Sequence, residues 1–193
     1  MADLWYAAYG SNLARDRFEN YLSGGRPVGA TRHYPGARDS SPPIDDRPLL
    51  LPGRLFFAWE SPTWGGGIAF YDPDGEGTVY ARAYRITAEQ FSDLAAQEMR
   101  RAPGVELDLS QVLAQRRHSY GPGRYETLHL VGELDGLPVL TFTAPEGHGL
   151  LPNRPAPIYL ATIRRGLREC HGLSDADAAA YLAAAQDGVE SGH

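Results

Sequence analysis

The stretch Leu4-Trp5-Tyr6-Ala7-Ala8-Tyr9-Gly10-Ser11-Asn12-Leu13 decides how this chain is read. Its first six residues form a continuous apolar and aromatic run, the mark of a strand buried on both faces. Gly10-Ser11-Asn12 breaks the run, and Leu13, Phe18, Tyr21 and Leu22 then recur at helical spacing. Ser11 or Asn12 is suited to cap that helix, and Ser23-Gly24-Gly25-Arg26-Pro27 closes it. A strand feeding a helix in this way presents unpaired backbone N–H groups at the positive end of the helix dipole. Two readings stand side by side. The turn is an ordinary capped connection, or it is a seat for a carboxylate or phosphate, with Tyr9, Ser11 and Asn12 adding polar groups. It lacks the Gly-x-Ser-x-Gly spacing of a nucleophile elbow, which argues against Ser11 as an acyl-enzyme nucleophile.

Outward from this turn, residues Arg38 to Gly53 are rich in Pro, Asp, Ser and Arg and read as a long surface loop. Strands are expected at Leu55 to Trp59, Gly67 to Tyr71, Val79 to Ile86, Tyr125 to Val131 and Val139 to Phe142, the last after an Asp135-Gly136 hairpin signal. Thr87-Ala88-Glu89-Gln90 matches a capping box and opens a helix to Arg101. Helices also close the chain, at Ile158 to Arg168 and, capped by Ser174, at Asp175 to Ala185. Strands with two interspersed helices, followed by two closing helices, predict an α+β fold with a curved or barrel-like mixed sheet.

Composition narrows the function classes. The length of 193 residues fits one domain, over 1–188, with a frayed tail at 189–193. A net charge of -6 argues against general nucleic-acid binding and against a polybasic membrane role. All 18 basic residues are Arg, which excludes Schiff-base chemistry, a Walker A lysine and a Ser–Lys dyad within this sequence. Cys170 is the single cysteine, so no disulfide forms within it. Met1-Ala2-Asp3 is no signal peptide, and no apolar run reaches the roughly 20 residues that span a bilayer. The expectation is a soluble cytoplasmic protein, monomer or homodimer. The six histidines show no paired ligand spacing, so neither a metal nor another cofactor is expected.

One side chain breaks the pattern. With Phe91 at zero on the Thr87 helix, Leu94, Ala95 and Glu98 fall at about 300°, about 40° and about 340°. Glu98 thus sits in the apolar stripe, while Asp93, Gln97, Arg100 and Arg101 lie mostly elsewhere. A carboxylate turned toward a core is costly unless paired or protonated, and desolvation is how enzymes prepare such a group for acid–base work near neutrality. The alternatives are a salt bridge to an Arg, or a rotated helix that leaves Glu98 exposed.

Tyr6-Ala7-Ala8-Tyr9-Gly10-Ser11-Asn12-Leu13 resembles the N-terminal substrate-binding signature of the γ-glutamylcyclotransferase family. Trp64-Gly65-Gly66-Gly67-Ile68-Ala69 resembles that family's glycine-bearing strand start, and Gln97-Glu98 stands where it carries a catalytic glutamate. Pro155-Ala156-Pro157-Ile158-Tyr159 resembles its C-terminal segment. The resemblance implies a small β-barrel with flanking helices and a small-molecule γ-glutamyl substrate. It implies cleavage of a γ-glutamyl amide by the substrate's own α-amine, releasing 5-oxoproline and a free amine. Glu98 is then the general base, and Tyr9, Gly10, Ser11, Asn12, Leu13, Gly67 and Tyr159 bind substrate. Many members carry a Tyr where this chain has Phe142, so any hydrogen bond from that hydroxyl to the substrate is lost here or is supplied by another group such as Tyr159 or Tyr120. A non-catalytic ligand-binding module and a γ-glutamyl hydrolase or acyltransferase are the competing functions.

Overall fold

The first strand, β1 (Asp3–Ala8), is paired on both sides and buried on both faces, and the second of these is why its sequence is apolar without alternation. The computed structural model describes residues 3–26, 33–145 and 149–186; the tail expected to fray lies outside them. β1 leads into a 3-10 turn (Ser11–Leu13) and then α1 (Arg15–Ser23). After them come β2 (Asp45–Pro52), β3 (Arg54–Ser61), β4 (Gly66–Asp72), β5 (Thr78–Thr87) and α2 (Ala88–Glu98). A short α3 (Ser110–Gln115), β6 (Arg117–Ser119), β7 (Thr127–Leu134), β8 (Leu137–Thr143), α4 (Pro157–His171) and α5 (Asp175–Ala184) complete the described elements.

Six strands form one mixed sheet in the order β2-β5-β1-β8-β7-β6, and β3 pairs with β4 in a separate hairpin. β1 runs antiparallel to β5, from Asp3 opposite Thr87 to Ala8 opposite Arg82, and parallel to β8, with Tyr6 opposite Leu140. The barrel expected from the sequence is not closed by a continuous ladder. A side chain bridges the gap instead: Thr143 Oγ1 of β8 accepts from Tyr71 N of β4 (3.1 Å) and donates to Tyr71 O (2.8 Å). The β7–β8 hairpin turns on Asp135 and Gly136 with φ of 52° and 74°, both left-handed as the tightest hairpin turn requires.

Two expectations are corrected. The stretch read as a loop from Arg38 to Gly53 contains β2, whose Leu51 is buried. β2 is an edge strand, where Pro48 costs no ladder bond that a neighbour needs, so its proline masked the strand. The helix after the first turn starts at Arg15 rather than at Ser11 or Asn12, and neither of those side chains caps it.

α2 carries the capping box as expected: Thr87 Oγ1 accepts from Gln90 N, and Gln90 Oε1 accepts from Thr87 N, both at 3.1 Å. It ends at Glu98, three residues before Arg101. Asp93 and Gln97, assigned by periodicity to the outer face, are fully buried. The chain around residues 38–41 and 104–107 covers Asp93, and Gln97 donates instead to Tyr21 O of α1 at 2.9 Å. Arg38 N and Gly104 N donate to Asp93 at 2.8 and 2.9 Å, and the Arg38 guanidinium pairs with it at 3.0 Å. Burial opposes ionisation of Asp93, but these donors outweigh it and hold the carboxyl below its usual range. A lowered folded-state pKa stabilises above the unfolded value of about 3.9 and stops doing so as pH falls through the folded value. Asp93→Ala should therefore cost about 2–3 kcal/mol at pH 7, Arg38 being partly solvated. Urea melts should show that difference shrinking as pH falls below the unfolded value of about 3.9 and through the lower folded one.

Candidate active site

The C-terminal end of β1 and the turn after it are clamped from below. Tyr84 Oη and Arg82 Nη1, both on β5, donate to the carbonyls of Asn12 (2.8 Å) and Leu13 (3.1 Å). Arg82 is itself paired with Asp46 of β2. From above, α4 approaches so closely that Gly166 stands where a Cβ would lie 2.4 Å from Ala14 N. The turn is therefore a fixed wall.

That wall borders an open cleft with ≈ 580 Å³ of free space, its mouth included. Tyr9, Gly10, Ser11 and Asn12 form one side, with Tyr6 beneath. α1 contributes Arg17 and Tyr21, α2 contributes Glu98, and Tyr34 lies beside them. The β3–β4 hairpin supplies Thr63, Trp64, Ile68 and Ala69, and Tyr125, Phe142 and Tyr159 close the far side.

Glu98 Oε1 accepts a short hydrogen bond from the Tyr21 hydroxyl and a long one, 3.5 Å, from Asn12 Nδ2. No described residue donates to its Oε2. The Tyr21 hydroxyl in turn accepts from Arg17 Nη2 at 3.3 Å. Burial first, then the Glu98 charge, raise the Tyr21 pKa, so Tyr21 remains a donor to the carboxylate. The salt bridge from Glu98 to an Arg that periodicity left open is not formed among the described residues; a tyrosine stands between.

The other tyrosines are deployed differently. Tyr9 Oη donates to Phe142 O (2.7 Å) and Tyr125 Oη to Ala69 O (2.7 Å), so both phenols brace the walls. Tyr159 Oη accepts from Ala69 N at 3.1 Å and keeps its own proton to give. Burial pushes Tyr159 up to about 12, with Ala69 N–H opposing, so that proton stays on the oxygen at neutral pH. Gly10 lets the turn approach this hydroxyl: a Cβ there would lie 3.2 Å from Tyr159 Oη.

Of the residues singled out by sequence, the structure brings Tyr9, Gly10, Ser11, Asn12, Tyr159 and Glu98 around one cleft. Leu13 and Gly67 fall outside its lining. Leu13 is wholly buried and packs under Gly166, while Gly67 lies so close to Asn153 O that a Cβ would come within 2.1 Å of it. Their small size or apolarity serves packing. Tyr120 also lies elsewhere, donating to Asp108 O. Arg165 of α4 pairs with Asp16 at 2.6 Å. Sequence reasoning missed Arg17, Tyr21, Tyr34 and Tyr125 as cleft residues. Tyr21 was assigned to the core by its period, and nothing local distinguishes Arg17 from the exposed Arg that neighbour it.

No family model matches the chain. Histone deacetylase 5 of Arabidopsis thaliana is 34% identical over 199 residues, an alignment that covers 93% of this chain and 30% of that protein. The chain thus spans under a third of the length of that relative. Among solved structures, a gamma-glutamyl cyclotransferase superposes with a TM-score of 0.56 at 17% identity, covering 94% of this chain and 88% of the other. An uncharacterized protein from Homo sapiens superposes with a TM-score of 0.57 at 18% identity, covering 95% and 88%. The molecule is an α+β protein of the γ-glutamyl cyclotransferase fold.

Proposed function

We propose that this chain cleaves a γ-glutamyl amide by intramolecular cyclisation. The observation that carries this reading is the Glu98 carboxylate, which lines the cleft with Oε1 held by Tyr21 and Asn12 and Oε2 without a donor among the described residues. In the proposed reaction the α-amine of the γ-glutamyl group loses a proton to Glu98 Oε2 and attacks the γ-carbonyl carbon. A new C–N bond closes the five-membered ring, the bond to the leaving nitrogen breaks, and Glu98 returns the proton to that nitrogen. No water is consumed, and the products are 5-oxoproline and an amine. Because nucleophile and electrophile share one molecule, holding the chain folded for ring closure is the main catalytic resource. In this reading the turn Tyr9–Asn12 and the Tyr159 hydroxyl hold it.

The test is product identity. Incubation with a panel of γ-glutamyl amino acids and γ-glutamyl amines should release 5-oxoproline. Free glutamate would instead indicate water as nucleophile, and saturable binding without turnover would indicate a binding module. Tyr21→Phe should lower kcat about 10- to 100-fold, the worth of one hydrogen bond to a charged group, with little change in KM. Unchanged kcat in that variant would remove Tyr21 from the positioning of Glu98.

A further inference from the structure

The cleft holds two guanidinium groups, and their situations differ. Arg17 shares its Nη2 between the hydroxyls of Tyr34 (2.6 Å) and Tyr21 (3.3 Å). Arg124, beside Tyr125 on the far side, forms no hydrogen bond or ion pair among the described residues. It is half-buried, and its Nε is shut off from solvent without an acceptor. A donor left in this state is costly unless a ligand meets it, and a guanidinium is met best by an anion.

The surrounding chain holds Arg124 in place. The Glu126 carboxylate, 7% exposed, accepts from Gly123 N at 3.1 Å and from Arg101 Nη2 at 2.8 Å. Gly123 makes this approach possible, since a Cβ there would lie 2.9 Å from Glu126 Cδ. On the other side, Tyr125 Oη is tied to Ala69 O. Arg124 thus stands between two anchored neighbours. Its Cζ lies 4.3 Å from the centre of the Trp59 ring, which serves as a shelf for the cation. Trp59 has φ 63°, a left-handed conformation that bulky residues avoid. It sits where β3 slips register between Ala58 and Ser61, with its N–H bonded to Leu151 O (3.0 Å) and its carbonyl to Asn153 Nδ2 (2.8 Å). An outlier of this kind persists only where its surroundings enforce it.

Glu98 lines the same cleft. Burial is the chief cause of the raised Tyr125 pKa, and the charges of Glu98 and Arg124 both act on it, in opposite directions. In the proposed reaction Glu98 returns a proton to the leaving nitrogen, so whatever that nitrogen carries extends from Glu98 along the cleft. We propose that Arg124, supported on the Trp59 ring, selects the leaving group by charge, binding a carboxylate borne by the leaving amine. The inference rests on the cyclisation reading and concerns only the part of the substrate that departs. Among γ-glutamyl amides it favours those of amines that bear an acid over those of neutral amines. Arg124 binds the departing group and takes no part in proton transfer.

Three compounds that differ at one group test this on the full chain. γ-Glutamyl-L-alanine carries a carboxylate on its leaving amine, γ-glutamyl-L-alaninamide has a neutral amide in that place, and γ-glutamylethylamide has hydrogen. The wild-type chain should release 5-oxoproline from the first with a kcat/KM about 10-fold above that for either of the others, the worth of one charge-assisted hydrogen bond. Arg124→Gln should bring the three together, and Arg124→Glu should place the carboxylate compound last. Trp59→Gly, which the left-handed backbone accommodates, should narrow the preference, a ratio that a purely structural role of the ring would not move. Thermal melts accompany each variant. Arg124→Lys should fall between wild type and Arg124→Gln, and it carries the comparison if Arg124→Gln does not fold. Equal kcat/KM for the three compounds in the wild-type chain, or a preference that survives Arg124→Gln, overturns the proposal and leaves the cyclisation reading standing. If no γ-glutamyl compound yields 5-oxoproline, the cyclisation reading falls, and calorimetric titration of the same three compounds decides the proposal. An Arg124-dependent preference for γ-glutamyl-L-alanine then upholds it, and equal binding or none overturns it.

Discussion

Glu98→Gln is expected to lower 5-oxoproline release about 1,000-fold, close to 4 kcal/mol of transition-state stabilisation, while the fold is kept. The substitution is nearly isosteric. The amide oxygen it introduces still accepts from Tyr21, so the geometry of the cleft survives, and the position is only partly buried, so no core packing is lost. What disappears is an oxygen basic enough to take the proton of the attacking amine. The loss should fall on kcat, with KM changed little, because Asn12, Arg17 and the first turn remain. Steady-state kinetics on a turned-over γ-glutamyl compound, with circular dichroism to verify folding, decides the matter. A Glu98→Gln chain within about 10-fold of wild type would remove Glu98 from the chemistry.

Gly166→Ala is expected to destabilise the protein by about 2–4 kcal/mol, although alanine is the better helix former by about 1 kcal/mol. The added methyl would lie 2.4 Å from Ala14 N, 2.4 Å from Leu13 C and 2.5 Å from Leu13 Cβ. Two of those atoms are backbone, and Tyr84 and Arg82 hold the neighbouring carbonyls from the other side. α4 must therefore back away, and Tyr159 on the same helix moves with it, stretching its bond to Ala69 N. In a chain of this size each kcal/mol is worth about 2–4 °C, so the melting temperature should fall by about 4–16 °C. Activity at a temperature where the variant is still folded should fall as well. A variant that melts with the wild type would show that the contact between α4 and the first turn is looser than described.

How much of this was legible in advance depends on the kind of signal. β1 announced itself because a strand buried on both faces must be apolar on both faces, and Leu4 to Tyr9 is. The capping box at Thr87 and the Asp135-Gly136 turn are local interactions, complete within four residues, and both are present. β2 was hidden because edge strands tolerate the Pro and charged residues that otherwise mark loops. Asp93 and Gln97 were misplaced for a similar reason. The periodicity of α2 registers only apolar contact, whereas loops bond to Asp93 and the backbone of α1 bonds to Gln97. Of the cleft, the turn and Glu98 stood out from sequence and resemblance, but Leu13 and Gly67 belonged to its packing support.

The sequence by itself determined the strand–turn–helix order at the N-terminus, the α+β class, and a carboxylate at Glu98 on the same stripe as Phe91 and Leu94. Tertiary structure decided what that carboxylate meets. Arg17, Tyr21 and Tyr34 come to Glu98 and Asn12 from positions up to 86 residues apart in the chain. Their common feature is an unmet or shared hydrogen bond in a place water hardly reaches. Periodicity records which face of an element is covered; only the packing of several elements fixes which donors and acceptors are left facing one another. The first turn is thus a rigid wall by virtue of β5 and α4, and the polar groups of the cleft are brought together from separate elements of the chain.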